Sequence, residues 1–489
     1  MKVCCVGLVM SVLAAPLAML SQRPAAQATA ATVAATPPMG WNSWDSFGLT
    51  ITEEQFRANV IVLRDELALS GYNYAVIDEG WFFVNPQDRP HAEKLVYAID
   101  ANGRYVPVPA RFPSSGKPTA QEVDQLDQLH AGPKLLVTTE ATSFKALGDF
   151  VHAQGLKFGI HIVRGIPRAS VERNLPIANS AFHAADAADT SDACPWDPTN
   201  WGVKNNDAGQ AWYDSLLKQY AGWGVDLIKV DCIASHPYKI DEIRMIRRAI
   251  DKAGRPMVLS LSPGPTALEN AAEVGAVAQM WRISDDFWDV WSSDAGKNFP
   301  QSLTGQFAKT AAWAPSAKPG NWPDADMLPL GHLGPVPGWG KERDTRFTPP
   351  EQQTLLTLWA MARSPLILGA NLTQLSDATL KLLTNADVIR VDQTATRSGQ
   401  VMHDGDIVAW TANLPADPAN DSPHGSIALA LFNAGESQVV VDSSFEAFNI
   451  DAATYRVKDA WTGKNLGKLK SVPNLTLEPH ACILWLLKK

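Results

Sequence analysis

The sequence predicts a closed α/β barrel of eight parallel strand–helix units, a (β/α)8 TIM barrel, followed by an antiparallel β-sandwich. Three observations carry this expectation. Short apolar runs alternate with helical segments through most of the chain, and polar residues recur where those runs end. From about Asp392 the alternation gives way to short strands divided by polar, Pro-containing turns. Runs that are apolar on both faces suit the strands of a buried parallel sheet with helices outside it.

The elements follow in order. Met39 to Trp44 reads as a first strand, and Thr52 caps a helix with Gln55 completing a capping box. Phe56, Val60, Leu63 and Leu67 recur along one face of that helix, and Gly71 ends it. Further strands are expected at Tyr74 to Ile77, Leu156 to Ile162, Val225 to Asp231, Met257 to Ser262 and Met280 to Asp286, then near Asp326 to Leu328 and Leu366 to Leu368. Eight such units fit a closed barrel. A doubly wound open sheet is the alternative, and the lack of a Gly-rich phosphate fingerprint after the first strand counts against its nucleotide-binding form. In the tail, Val401 to Leu414, Ser426 to Asn433, Gln438 to Asp442 and Ala481 to Leu487 read as strands. The chain of 489 residues therefore divides into a leader over 1–30, a barrel over 31–391 and a sandwich over 392–489.

Hydrophobic residues make up 46% of the chain and charged residues 19%, a composition suited to a packed globular protein. The net charge of −9, without a long Lys/Arg run, argues against a nucleic-acid partner. Seventeen tryptophans outnumber both phenylalanine (16) and tyrosine (8). Indole faces stack on the C–H faces of sugars, although tryptophan also fills core volume. At the N-terminus, Lys2, the apolar run Val3 to Leu20 and Ala26-Gln27-Ala28 read as a signal peptide, so a secreted or periplasmic protein is expected, with no membrane partner once the leader is removed. Cys194, Cys232 and Cys482 then remain. Without a paired Cys-x-x-Cys they do not suggest a zinc site. Export permits one disulfide, and Cys194–Cys232 is the candidate because both lie near the proposed site; free buried thiols are the alternative.

Polar residues cluster at the predicted strand ends: Asp78-Glu79, His161, Lys229 with Asp231, Ser262, Asp286 and Asp326. Barrel enzymes gather their chemistry at that face, from several strands. In Lys229-Val230-Asp231 a spacing of two puts both polar side chains on one face, where the lysine favours an ionised carboxylate. Such a carboxylate can attack an anomeric carbon, although the spacing also suits a structural ion pair. Alternation through Trp281 to Asp286 places Arg282, Ser284 and Asp286 together. A second acid near the first can hold a proton for a leaving oxygen; the same residues would also suit a solvated turn.

The opening Thr36-Pro37-Pro38-Met39-Gly40-Trp41-Asn42-Ser43-Trp44 resembles the signature of glycoside hydrolase family 27, the α-galactosidase family. The likeness runs on through Ile77-Asp78-Glu79-Gly80-Trp81, Gly155 to Ile160, Asp226 to Asp231, Trp281-Arg282 with Asp286, Pro323 to Leu328, Ser364 to Gly369, Leu383-Thr384-Asn385 and Pro479-His480-Ala481-Cys482. The resemblance implies a retaining exo-glycosidase that uses no metal or cofactor and takes an oligosaccharide or glycoside with a terminal α-D-galactosyl residue. It implies Asp231 as nucleophile and Asp286 as acid/base. Trp44 would stack on the sugar, Asp78 would hold the axial 4-hydroxyl, and Lys229 and Arg282 would bind sugar as cations. The chain departs from the family pattern where Glu79 stands for an Asp, His161 for a Tyr and Ser262 for a Glu found in many members, and in the segment Arg164 to Arg168 and the Cys194 loop. Glu79 could occupy the space of the hydroxymethyl group and favour a β-L-arabinopyranoside, and Ser262 leaves room as in α-N-acetylgalactosaminidases. A non-catalytic sugar-binding protein is the alternative of a different class.

Overall fold

A computed structural model describes residues 1, 33–88, 95–117, 134–137, 142–197, 199–293, 299–417 and 425–489. The expected signal peptide lies outside them but for its first residue. Eight parallel strands form one sheet: β1 (Met39–Asn42), β2 (Tyr74–Ile77), β3 (Lys157–Val163), β4 (Leu227–Asp231), β5 (Val258–Leu261), β6 (Met280–Arg282), β7 (Trp322–Asp324) and β8 (Leu366–Leu368). Their order is β7-β6-β5-β4-β3-β2-β1-β8. The sheet closes through a parallel bridge between Leu328 and Leu368. Gly369 N–H donates to Leu328 O at 3.0 Å, and Leu328 N–H donates to Ile367 O at 2.8 Å.

Each strand is followed by a helix: α1 (Glu53–Val62), α2 (Lys145–Ala153), α3 (Asp207–Trp223), α4 (Ile240–Ala253), α5 (Ala271–Gly275), α6 (Leu303–Trp313), α7 (Pro349–Ala362) and α8 (Ala386–Thr394). The Thr52/Gln55 capping box starts α1. Phe56, Val60, Leu63 and Leu67 are all fully buried, and the segment ends at Gly71, whose φ of 106° suits a residue without Cβ. The outward side chains Trp41, Ile77, Phe158, Ile160, Ile228, Val230, Leu259, Leu261 and Trp281 belong to the main hydrophobic core.

Two boundaries in the barrel need correction. The seventh strand is Trp322–Asp324, and the expected segment from Asp326 to Leu328 supplies only the closing bridge. Asp326 has φ +90°, which breaks the extended conformation before Met327. The sixth strand stops at Arg282, so Asp286 arrives on a loop and not by strand alternation. Gly264 from the neighbouring loop lies against Ser284, where a Cβ would come within 2.2 Å of its carbonyl oxygen, so this stretch packs on a loop instead of continuing the ladder.

The C-terminal part has eight strands: β9 (Thr396–Asp404), β10 (Ile407–Leu414), β11 (Ser426–Asn433), β12 (Val439–Ser444), β13 (Tyr455–Asp459), β14 (Asn465–Leu469), β15 (Ser471–Leu477) and β16 (Cys482–Lys488). Six form an antiparallel sheet in the order β9-β10-β11-β16-β13-β14, and β12 pairs with β15. The run expected as one strand from Val401 to Leu414 is a hairpin turning at Gly405, which has φ +55°. The period of two explains its burial on both faces. Val408, Trp410, Ala412 and Leu414 join the main core, whereas Ala409, Leu429, Leu431, Trp485 and Leu487 form a second core with β12 and β15.

Candidate active site

One rule of parity builds the site. Tyr74, Val76, Leu227, Val258, Met280, Trp322 and Ile367 fill the barrel interior as an apolar floor. Two residues further along the same strands, the inward positions become Asp78, Lys229, Ser260, Arg282 and Asp324. Four of these strands thus turn from apolar to charged in one step toward the C-terminal end, at Asp78, Lys229, Arg282 and Asp324, while β5 turns to Ser260. A cavity of about 30 Å³, lined by Val76, Leu227 and Met280 below and by Asn42, Lys229, Arg282, Asp324 and Asp326 above, marks the change.

On one side of the mouth, Asp78 and Asp231 share a fixed network. Asp78 Oδ2 accepts from Lys229 Nζ at 2.8 Å and from Asn42 Nδ2 at 2.6 Å, while Oδ1 accepts from Glu79 N–H at 2.8 Å. His161 Nε2 lies 4.0 Å from Asp78 and 3.6 Å from Asp231. Asp231 Oδ1 also accepts from Cys232 N–H at 2.6 Å. Burial opposes ionisation of Asp231, but His161, Lys229 and the Cys232 N–H outweigh it and hold the carboxyl below the usual carboxylate range. Asp78 is lowered further: burial again opposes ionisation, and Lys229 leads the groups that overcome it. His161 is raised, because Asp78 and Asp231 more than offset the effect of burial. Lys229 is raised too, against burial, chiefly by Asp78. The lysine expected to serve Asp231 is therefore bonded to Asp78 and acts on Asp231 only through its field.

The loop after β3 pins this side. Cys194 is disulfide-bonded to Cys232, with a Cα–Cα distance of 6.0 Å. The buried Arg164 guanidinium donates to Cys232 O at 2.7 Å, Glu242 at 2.8 Å and Asp192 at 2.9 Å. Five of its hydrogens can be placed in a rigid fork, which suits a residue that must tie three chain segments together.

Opposite, Arg282 Nη2 lies 2.6 Å from Asp326 Oδ2 and donates to Asp286 Oδ1 at 3.2 Å. Phe287 N–H also donates to Asp326 at 2.7 Å, so Asp326 anchors the loop that carries Asp286. Burial pushes the Asp326 carboxyl up to about 7, with Arg282 working against the rise and Asp286 and Asp324 adding to it. The Asp286 side chain is 44% exposed, against 20% for Asp231. The two enter from β4 and the loop after β6. With β5 between them, their parent strands stand about 10 Å apart, twice the usual strand spacing.

Other predicted positions fall around the same mouth. Trp44 is half-buried, with its indole against Gly338, where a Cβ would come within 2.3 Å of Nε1. Glu79 is buried beside Asp78. Ser262 is buried, and its hydroxyl turns back toward Val230 O at 3.5 Å. Asn42 and Asp324 were absent from the predicted set, and Asp326 entered it only as a polar strand end without a role. The signal was available, since Asp324 and Asp326 repeat the i, i+2 pattern of Lys229 and Asp231. Among the described residues no group of three or more His, Cys, Asp or Glu is gathered as a metal would require, and no helix is long and apolar enough to cross a membrane.

Residues 205–394 match the family described as alpha galactosidase A, and residues 404–487 match the alpha galactosidase C-terminal beta sandwich domain. The structure is similar to a family 27 β-L-arabinopyranosidase from Geobacillus stearothermophilus, at 38% identity and a TM-score of 0.79, covering 94% of this chain and 98% of that one. The chain belongs to glycoside hydrolase family 27. Curated relatives include α-galactosidases from Cellvibrio japonicus (26% identical, 92% of each chain covered) and Cyamopsis tetragonoloba (25% identical, 92% of this chain and 86% of that one). This glycoside hydrolase therefore carries its charged mouth on a barrel shared along nearly its whole length with those relatives.

Proposed function

We propose that this enzyme is a retaining exo-glycosidase for terminal galacto-configured pyranosides. The observation that carries the reading is the pair Asp231 and Asp286 in unlike settings at one barrel mouth. Asp231, held ionised, attacks the anomeric carbon as the glycosidic C–O bond breaks. Asp286 gives its proton to the leaving oxygen. Water then attacks the glycosyl-aspartate, Asp286 takes the water's proton, and Asp231 is released with net retention. Asp78, Lys229 and Arg282 serve as hydroxyl-binding groups in this reading, and Trp44 as a ring-stacking one.

α-D-Galactosides and β-L-arabinopyranosides share their ring configuration and differ by one hydroxymethyl group. Two observations favour the pentopyranoside: Glu79 is buried next to Asp78 and one methylene longer than Asp, and the 38% identical relative is an arabinopyranosidase. Crowding of one hydroxymethyl is worth about 1–3 kcal/mol, so kcat/KM on aryl β-L-arabinopyranoside should exceed that on aryl α-D-galactoside by roughly 10- to 200-fold. A panel of both substrates, with proton NMR of the first-released anomer, tests sugar and stereochemistry together. Release of the opposite anomer would sink the retaining mechanism. Export to an oxidising compartment belongs to the same proposal, supported by the Cys194–Cys232 disulfide.

A further inference from the structure

Trp196 is the one exposed tryptophan among the described residues, at 38% of its surface. It is not loosely held. Cys194, two residues before it, is bonded to Cys232, and Thr199 N–H donates to Asp197 Oδ1 at 2.7 Å just after it. An indole kept bare on a fixed loop is a surface waiting for an apolar face.

Its neighbours are polar and come from two other loops. The ring of His236, after β4, sits 6.0 Å from the indole at 65°. Ser235 Oγ lies 2.8 Å from His236 Nδ1, which leaves Nε2 facing Asp285 Oδ1 at 3.6 Å. Asp285 follows β6 and directly precedes Asp286. His236 has φ +31° and Cys232 has φ +61°, so this short loop holds two non-glycine residues in an unfavourable backbone region. Three loops, following β3, β4 and β6, thus meet here, tied to Cys232 and Asp285, the chain neighbours of the two candidate carboxylates.

We propose that Trp196, His236 and Asp285 form a platform for the sugar ring on the leaving side of the scissile bond. The inference rests on the proposed role of Asp286, since the group attached to the oxygen it protonates must depart past Asp285. The indole takes the C–H face of a neutral hexopyranose, and His236 and Asp285 take its hydroxyls. The site selects a glycoside whose leaving group is itself a sugar.

The test compares two substrates carrying the same terminal unit, galactosyl or arabinopyranosyl, whichever the unaltered enzyme turns over faster. One is the glycosyl fluoride, whose leaving group has no ring. The other is a disaccharide with that unit 1→6-linked to glucose. In the full chain, Trp196→Ala should lower kcat/KM on the disaccharide about tenfold, mainly through KM, the loss expected for one aromatic face. The fluoride should change less than about twofold, which also shows that the variant folds. Trp196→Phe should recover most of the loss, and His236→Ala should act in the same direction as Trp196→Ala. Equal losses on both substrates, or none on the disaccharide, overturn the platform. If the unaltered enzyme hydrolyses neither substrate, the proposed function itself fails and takes the platform with it.

Discussion

The two candidate carboxylates reach the barrel mouth from regions built on opposite terms. Asp231 ends a strand in register with β3 and β5, and its surroundings are cross-linked by a disulfide, by Arg164 and by a backbone N–H bond. Asp286 stands four residues beyond the end of β6, more exposed, on a loop secured through Asp326. A group that must stay ionised and aligned gains from rigid donors and neighbouring positive charge. A group that must pass a proton to one oxygen and take one from water gains from access to solvent. The same fold supplies both settings by ending one strand at Asp231 and the other four residues before Asp286.

The largest effect should come from the rigid side. Asp231→Gly is expected to lower kcat on an aryl glycoside by at least about 10⁴-fold, with partial rescue by azide or formate. Normal activity would remove Asp231 from the nucleophile's role. On the exposed side, Asp286→Ala should cost about 10²–10⁴-fold on a disaccharide and far less on a dinitrophenyl glycoside, whose leaving group needs no proton. A loss independent of the leaving group would contradict the contrast drawn between the two regions.

The cross-link should be visible in stability. Cys194→Ser closes no 38-residue loop and should lower unfolding stability by about 2–4 kcal/mol in denaturant titrations under oxidising conditions. An unchanged midpoint would mean that Arg164 and the core hold the strand end unaided.

The smallest effect concerns pH. The lowered carboxyls of Asp78 and Asp231 contribute stability that is present above about pH 4 and lost as pH falls through their folded values. His161 is raised, so its contribution is complete below about pH 6.5 and is lost as pH rises through its folded value. His161→Phe removes the positive neighbour of Asp231 and should shift the acid limb of kcat/KM upward. A limb that stays in place would assign the low position of Asp231 to Lys229 and Cys232 alone.

Much of this was legible before folding. The apolar runs named seven of the eight strands within a few residues, because a strand buried on both faces leaves a continuous apolar stretch in sequence; the seventh was placed beyond its true position at Trp322–Asp324. Lys229, Asp231 and Arg282 follow from period two on those strands, and Asp78 from its place at a strand end. Asp286 was reached by extending the same period beyond the point where β6 actually ends; the structure brings it to the mouth through Arg282 and Asp326. The C-terminal strands β13, β14 and β15 escaped notice because exposed polar residues, among them Arg456, Lys468 and Asn474, break up their short apolar positions.

The sequence alone determined the barrel, the sandwich after it and which strand ends are charged, because periodicity is a local property of the chain. Only the tertiary structure decided that Lys229 bonds Asp78 instead of Asp231, that Arg282 reaches Asp326, and that Trp196, His236 and Asp285 meet. Those pairings join residues from different strands and loops, and their distances are set by how the barrel closes and how its loops pack.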